Sequence, residues 1–123
     1  MTRLFVAYLG PSTNAIYAGL HWAKRKKAKD DALAATLEAV ERQIVVPARQ
    51  QVDLIFTPRL GKGARKRDTS NNSMTAKLIE DALVKAGVLA DDTEAYVRRV
   101  TLQPAEIDRT LPSGMWVEIR EVV

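Results

Sequence analysis

Five residues between positions 68 and 92 carry side chains suited to handling a phosphodiester: Asp68, Asn71, Lys77, Asp91 and Asp92. Carboxylate and amide oxygens are the hard donors that Mg²⁺ accepts, usually a few carboxylates completed by water and substrate phosphate. Asp68, Asp91 and Asp92 are the candidate metal ligands, with Mn²⁺ able to take the place of Mg²⁺, and Asn71 is a weaker, neutral oxygen. Lys77 would place positive charge where a phosphate gains negative charge in a transition state. Spacing sets one condition on this chemistry. A helix from about Asn72 to Ala86 spans about 20 Å at 1.5 Å per residue, with Asp68 before it and Asp91-Asp92 after Gly87. The two acidic points meet only if the chain beyond Gly87 folds back along the helix. Simpler roles exist for each residue alone: Asp68 and Asn71 as a helix cap and Asx turn, Asp91-Asp92 as a solvated turn, and Lys77 as an exposed partner of Asp81 one turn on.

An acidic cluster by itself repels nucleic acid, so the placement of positive charge matters. The 19 Lys+Arg and 15 Asp+Glu of the 123 residues give +4. Lys24, Arg25, Lys26, Lys27 and Lys29 fall between His21 and Lys29, and Arg59, Lys62, Arg65, Lys66 and Arg67 fall between Arg59 and Arg67, with no acid in either stretch. Taking these ten cations from +4 leaves −6 for the remainder, so the basic charge is placed, and placed basic charge points to an anionic partner such as nucleic acid. Either block alone also reads as solvated surface. With zero cysteines, Cys-based zinc sites and thiol nucleophiles are excluded, which leaves oxygen ligands as the metal chemistry. No apolar run approaches the roughly 20 residues of a membrane span, and the N-terminal residues turn polar too quickly for a signal peptide; a soluble, cytoplasmic protein is expected.

The elements that must position these residues follow from periodicity. A length of 123 residues fits one domain, residues 1–123. Leu4 to Leu9 reads as a buried strand, ended by the turn Gly10-Pro11-Ser12-Thr13-Asn14. From about His21 to Val45 the chain reads as an amphipathic helix, with Leu33, Leu37, Val40 and Ile44 as its apolar recurrence and Pro47 as its stop. Val52, Leu54 and Phe56 predict a strand ending at Thr57-Pro58, followed by a polar loop from Arg59 to Ser70. Asn71 and Asn72 are expected caps for a helix closed by Gly87. Strands follow at about Tyr96–Leu102 and Met115–Val122. The expected fold is α/β (α+β): a mixed four-stranded sheet with two main helices.

Several segments resemble one family. Gly10-Pro11-Ser12-Thr13-Asn14 is similar to the Pro-Ser-x-Asn loop of the RusA family of Holliday junction resolvases, typically encoded by phages and prophages, and His21-Trp22-Ala23-Lys24 is similar to a string common among its phage members. The run from Lys77 through Asp81-Ala82-Leu83-Val84-Lys85-Ala86-Gly87 to Asp91-Asp92 resembles the family's helix signature and terminal Asp-Asp. The resemblance implies that Asp92 is a catalytic metal ligand and Lys77 the phosphate-contacting lysine. The family's Asp-x-Asp-Asn motif is altered: counting back from Lys77 places Asn71 and Ser73 at the two aspartates, while Asp68-Thr69-Ser70-Asn71 ahead of Thr75-Ala76-Lys77 is similar to the Asp-x-x-Asn of some phage-type relatives.

The resemblance further implies a RusA-like single domain, a homodimer, a four-way DNA junction as substrate, and Mg²⁺-dependent strand cleavage in DNA recombination and repair. Asn14 and the ten block cations would face the DNA, Ser73 and Thr75 would donate to phosphate from the helix N-terminus, and Met115, Trp116 and Val117 are candidate edges for the dimer. No histidine base is required, and His21 reads as a helix-start residue. The altered motif supports a second expectation, a DNA-binding protein that keeps the fold with weakened or lost cleavage.

Overall fold

Period-two apolar residues in the strands and small or aliphatic residues at helical spacing meet in one core. The computed structural model describes residues 1–122. Its elements are β1 (Thr2–Val6), α1 (Thr13–Tyr17), α2 (Trp22–Arg42), β2 (Val52–Leu60), a 3₁₀ turn (Thr69–Asn72), α3 (Ser73–Lys85), β3 (Val97–Leu102), β4 (Glu106–Ile107) and β5 (Gly114–Glu121). The sheet runs β1-β5-β2-β3, with the two-residue β4 also beside β2. β5 is antiparallel to both β1 and β2, and β3 and β4 are parallel to β2. It is the mixed α+β architecture that the periodicity predicts, with β4 as an unforeseen fifth strand. Parallel strands need a long crossover, and α3 supplies it between β2 and β3.

Leu4 and Val6, Val52, Leu54 and Phe56, and Met115, Val117 and Ile119 alternate inward from β1, β2 and β5. Ala39 of α2 and Ala76, Ile79 and Leu83 of α3 join the same cluster. Met115 and Val117 are wholly buried there, which removes them as dimer edges; of that expected trio only Trp116 points to the opposite sheet face. On that face Phe5 and Trp116 meet edge to face at 5.1 Å, and the Arg3 guanidinium lies 3.9 Å from the Trp116 ring centre.

Two strand ends and one helix face differ from expectation. β1 stops at Val6, where the Tyr8 N–H turns back to the Val6 carbonyl. β2 continues through Pro58 to Leu60. The carbonyls of Phe56 and Leu60 accept from Gln103 and Asp108 on the β3/β4 side, so residue 58 faces the same side by period two. Pairing with β3 ends at Phe56 and with β4 begins at Arg59, and Pro58 lies in that gap, where its missing N–H removes no ladder bond. Arg59 is therefore a strand residue. In α2 the buried stripe is Ala28, Ala32, Thr36 and Ala39, while Leu37 and Ile44 are exposed. Small side chains let the helix approach its neighbours closely, and they share the leucines' spacing, so residue size misdirects the choice of face.

All three helices close alike. The N–H groups of Leu20, Val45 and Val88 reach back five residues to Ala15, Val40 and Leu83, the six-to-one bond of the Schellman motif. The residue before each has positive φ: Gly19 at 90°, Ile44 at 52° and Gly87 at 78°.

Candidate functional site

Two segments far apart in sequence interlock at the N-terminus of α3. The Gly10 N–H donates to Thr75 Oγ1 at 3.0 Å in a buried position. Thr13 Oγ1 accepts from the Met74 N–H at 3.1 Å and lies 2.8 Å from Ser73 Oγ. The Asn14 N–H donates to Asn71 Oδ1 at 3.3 Å, and Arg67 Nη1 donates to the Gly10 carbonyl at 3.0 Å. Helix α3 is thus capped from another part of the chain: neither Asp68 nor Asn72 makes a side-chain cap bond. Asn72 is buried and its Oδ1 has no protein partner. Burial lowers Arg67 below the ordinary arginine value.

One turn further along α3, the fold-back condition is met for Asp92. Gly87 lets the chain reverse, Val88 and Leu89 sink into the core, and Asp92 Oδ2 arrives 2.9 Å from Lys77 Nζ. Asp81 Oδ1 and Glu80 Oε1 lie 3.1 and 3.5 Å from the same ammonium, so the pairing with Asp81 holds as well. Asp91 Oδ1 accepts the Asp92 N–H at 2.8 Å. Among the described residues, Asp68, Asp91 and Asp92 do not form a group of three that could hold a metal ion. The carboxylates that gather do so around Lys77, and Asp68 stays exposed at the start of the 3₁₀ turn.

The electrostatics follow from that geometry. The hydrogen bond and charge of Lys77 hold Asp92 below the usual carboxylate range, with Asp91 adding a further bond. Asp92 in turn raises Lys77 above the ordinary lysine value, with Asp81 and Glu80 adding to it and partial burial opposing. Glu80 moves the other way from Asp92, raised by burial and only partly offset by Lys77. A cleft of about 210 Å³ between α3 and β3 opens beside the group, lined by Ser73, Ala76, Lys77, Glu80, Val100 and Leu102.

The two basic blocks meet different fates. Lys24, Arg25, Lys26, Lys27 and Lys29 are all exposed on the first turns of α2, where Lys26 pairs with Asp30 and Lys27 with Asp31. His21 is the N-cap, its Nδ1 accepting the Ala23 N–H at 3.2 Å. In the second block Lys62, Arg65 and Lys66 are exposed. Arg59 is only 8% exposed; its guanidinium stacks 3.9 Å from the Phe5 ring centre and donates to the Pro112 carbonyl, so it is removed from the set expected to face DNA. Reading the sequence alone passes over Thr13 and Glu80. Glu80 had a signal, since it lies three residues from Lys77 on one helix face; Thr13 had none, because the helix it caps begins 60 residues later.

Comparison with protein-family models finds none that matches, and comparison with curated proteins finds no match. Among the described residues no helix is long and apolar enough to cross a membrane.

Proposed function

We propose that this protein is a Mg²⁺-dependent endonuclease acting on branched DNA, of the RusA type. The observation that carries the reading is the meeting of Asp92 with Lys77 on α3, directly after a loop that exposes Lys62, Arg65 and Lys66. Mg²⁺ is commonly held by one or two carboxylates, with water and substrate phosphate filling the rest. Asp92 supplies a hard oxygen of that kind; Glu80 and Asp81 are paired with the Lys77 ammonium and, among the described residues, no group of three such side chains gathers on a metal position, so water and phosphate would have to complete the ion's shell. When bound, such an ion supplies an activated water and neutralises phosphate charge.

The chain's own residues do the rest. The loop cations and those of α2 attract the DNA backbone. Lys77, charged at any working pH, neutralises the phosphate on which charge develops. Its pairing with Asp92 and Asp81 fixes the ammonium before DNA arrives. Asn71, held by the Asn14 N–H, would orient the phosphate at the α3 N-terminus. Two strands of a junction require two cuts, which a two-fold dimer would provide.

A second reading, DNA binding without cleavage, draws on the same centre: Lys77 occupies the point on which the carboxylates converge, and Asn71 and Ser73 stand where aspartates are expected. Incubating the protein with a four-way junction and Mg²⁺ separates the two. Cleavage lost in Asp92→Asn supports the nuclease. Salt-sensitive binding with an intact junction, indifferent to Asp92→Asn, selects the second reading.

A further inference from the structure

Tyr17 is 84% exposed and Trp22 71% exposed, five residues apart on either side of the turn that joins α1 to α2. Large aromatics are costly to leave in water, and neither ring is used by the core or by the centre around Lys77. The corner that carries them is built to stay in place. Gly19 closes α1, and the Leu20 N–H bonds to the Ala15 carbonyl. Arg25 reaches back from α2, donating through Nε to the Leu20 carbonyl at 3.0 Å and through Nη2 to the Ile16 carbonyl at 3.1 Å. The His21 and Trp22 rings lie 5.6 Å apart with their planes inclined by 33°.

The surroundings say what such rings are for. Lys24, Arg25, Lys26, Lys27 and Lys29 occupy the next two turns, all exposed. Arg25 spends its donors on neutral carbonyls, so its charge is not cancelled, and the acids opposing Lys26 and Lys27 sit on the far side of each cation along the helix, at Asp30 and Asp31. An aromatic face flanked by cations binds a nucleobase by stacking while the neighbouring phosphates meet the positive charge. A paired base keeps its faces covered by its neighbours, so the complementary ligand is a base out of its stack.

We propose that the exposed rings of Trp22 and Tyr17 each offer a stacking face for an unpaired base of DNA, as at a single-stranded segment or the open centre of a branch. This rests on the DNA-binding part of the reading above and assigns to α2 the recognition of branch structure, a task separate from the centre on α3.

The test uses the full-length protein. The sequence holds 2 tryptophans, so a Trp116→Phe background leaves Trp22 as the sole tryptophan reporter. Its fluorescence is expected to quench on titration with single-stranded oligothymidine and with a four-way junction, and to change little with a blunt duplex. With affinity read from the anisotropy of dye-labelled DNA, Trp22→Ala in that background is expected to weaken the two unpaired substrates by about tenfold while duplex affinity stays within about twofold and the salt dependence keeps its slope. Tyr17→Ala should act in the same direction, and Trp22→Phe should retain most of the affinity. Equal loss on duplex and junction, or no loss on either, would overturn the stacking role. So would a shift in oligomeric state in Trp22→Ala, which would make the aromatics a contact between copies. If the parent protein binds none of the three DNAs at low salt, the proposed function fails first. Binding that ignores Trp22 sinks only the stacking role.

Discussion

Helices α2 and α3 have similar architecture and opposite finish. α3 is held at its start, middle and end: Thr13 caps its start, three carboxylates surround Lys77, and Gly87 closes its end without strain. α2 is capped only by its own His21, presents exposed cations and aromatics, and ends on an isoleucine at positive φ. The difference teaches how one small domain can divide its work. On the proposed reading, the groups that would act on a reacting phosphate are fixed before the substrate arrives, as electrostatic catalysis requires. The groups that on the same reading would attract DNA are left solvated, because long-range attraction depends on charge and tolerates motion.

The largest separation is expected in catalysis. Lys77→Ala should lower Mg²⁺-dependent junction cleavage by about 100-fold with junction affinity little changed. Lys24→Ala on α2 should instead weaken binding across all DNA sequences and reduce the salt slope by about 1. Single-turnover cleavage and salt-titrated binding measure the pair, and a Lys24 variant that lost cleavage as severely as the Lys77 variant would erase the distinction.

Next is the stability of the interlock. Thr75→Val keeps shape but leaves the buried Gly10 N–H without an acceptor, at a cost of about 1–3 kcal/mol. Urea unfolding should show a lower midpoint at unchanged slope.

The helix ends offer a change of opposite sign. Ile44 is 83% exposed, so little burial offsets its left-handed backbone. Ile44→Gly should gain about 0.5–1 kcal/mol, the relieved strain less the chain entropy that glycine adds. Gly87→Ala should lose about 1 kcal/mol from strain alone, since nothing lies within 4 Å of a Cβ placed there. Thermal unfolding of both variants tests whether the same motif carries different strain on the two helices.

The smallest effect concerns pH. Asp92 is held low by Lys77, so its contribution is complete above the ordinary carboxylate value of about 3.9 and disappears as pH falls through the depressed one. Lys77 is held high, and its share is lost only as pH rises past the ordinary lysine range. Glu80 has the reverse sign to Asp92: raised by burial, it favours folding at pH below its titration and costs stability above it. Acid unfolding of Asp92→Asn should therefore be less steep than that of the parent, whereas Glu80→Gln should flatten the opposing limb.

Much of the fold is visible in the sequence because strand and helix periods are local properties. Val52, Leu54 and Phe56 announce β2, and the run from Ile79 to Gly87 announces α3 and its end. What escaped depends on the third dimension. Pro58 looks like a terminator until the gap between β3 and β4 is known. Ala28, Ala32 and Ala39 look neutral beside Leu33 and Leu37 until a close neighbour rewards small side chains. Arg59 reads as loop charge until Phe5 is placed beside it. In the site, the Lys77 and Asp92 pairing required only that the chain reverse at Gly87, and it does. The capping by Thr13 required a contact across about 60 residues, which no spacing rule reports.

Pro58 also shapes what the protein cannot do. An uninterrupted β2 edge partner would be a longer strand, and its outer side would offer a continuous row of free N–H and C=O groups to any extended chain in the cell. The break at Pro58 instead divides that border into six residues of β3 and two of β4, and Arg98 on β3 turns back to Asp53 through bonds of 3.0 and 2.6 Å. Short, charged borders are poor templates for strand addition. The β3/β4 side of the sheet is thus a poor template for edge-to-edge fusion between crowded copies of the chain.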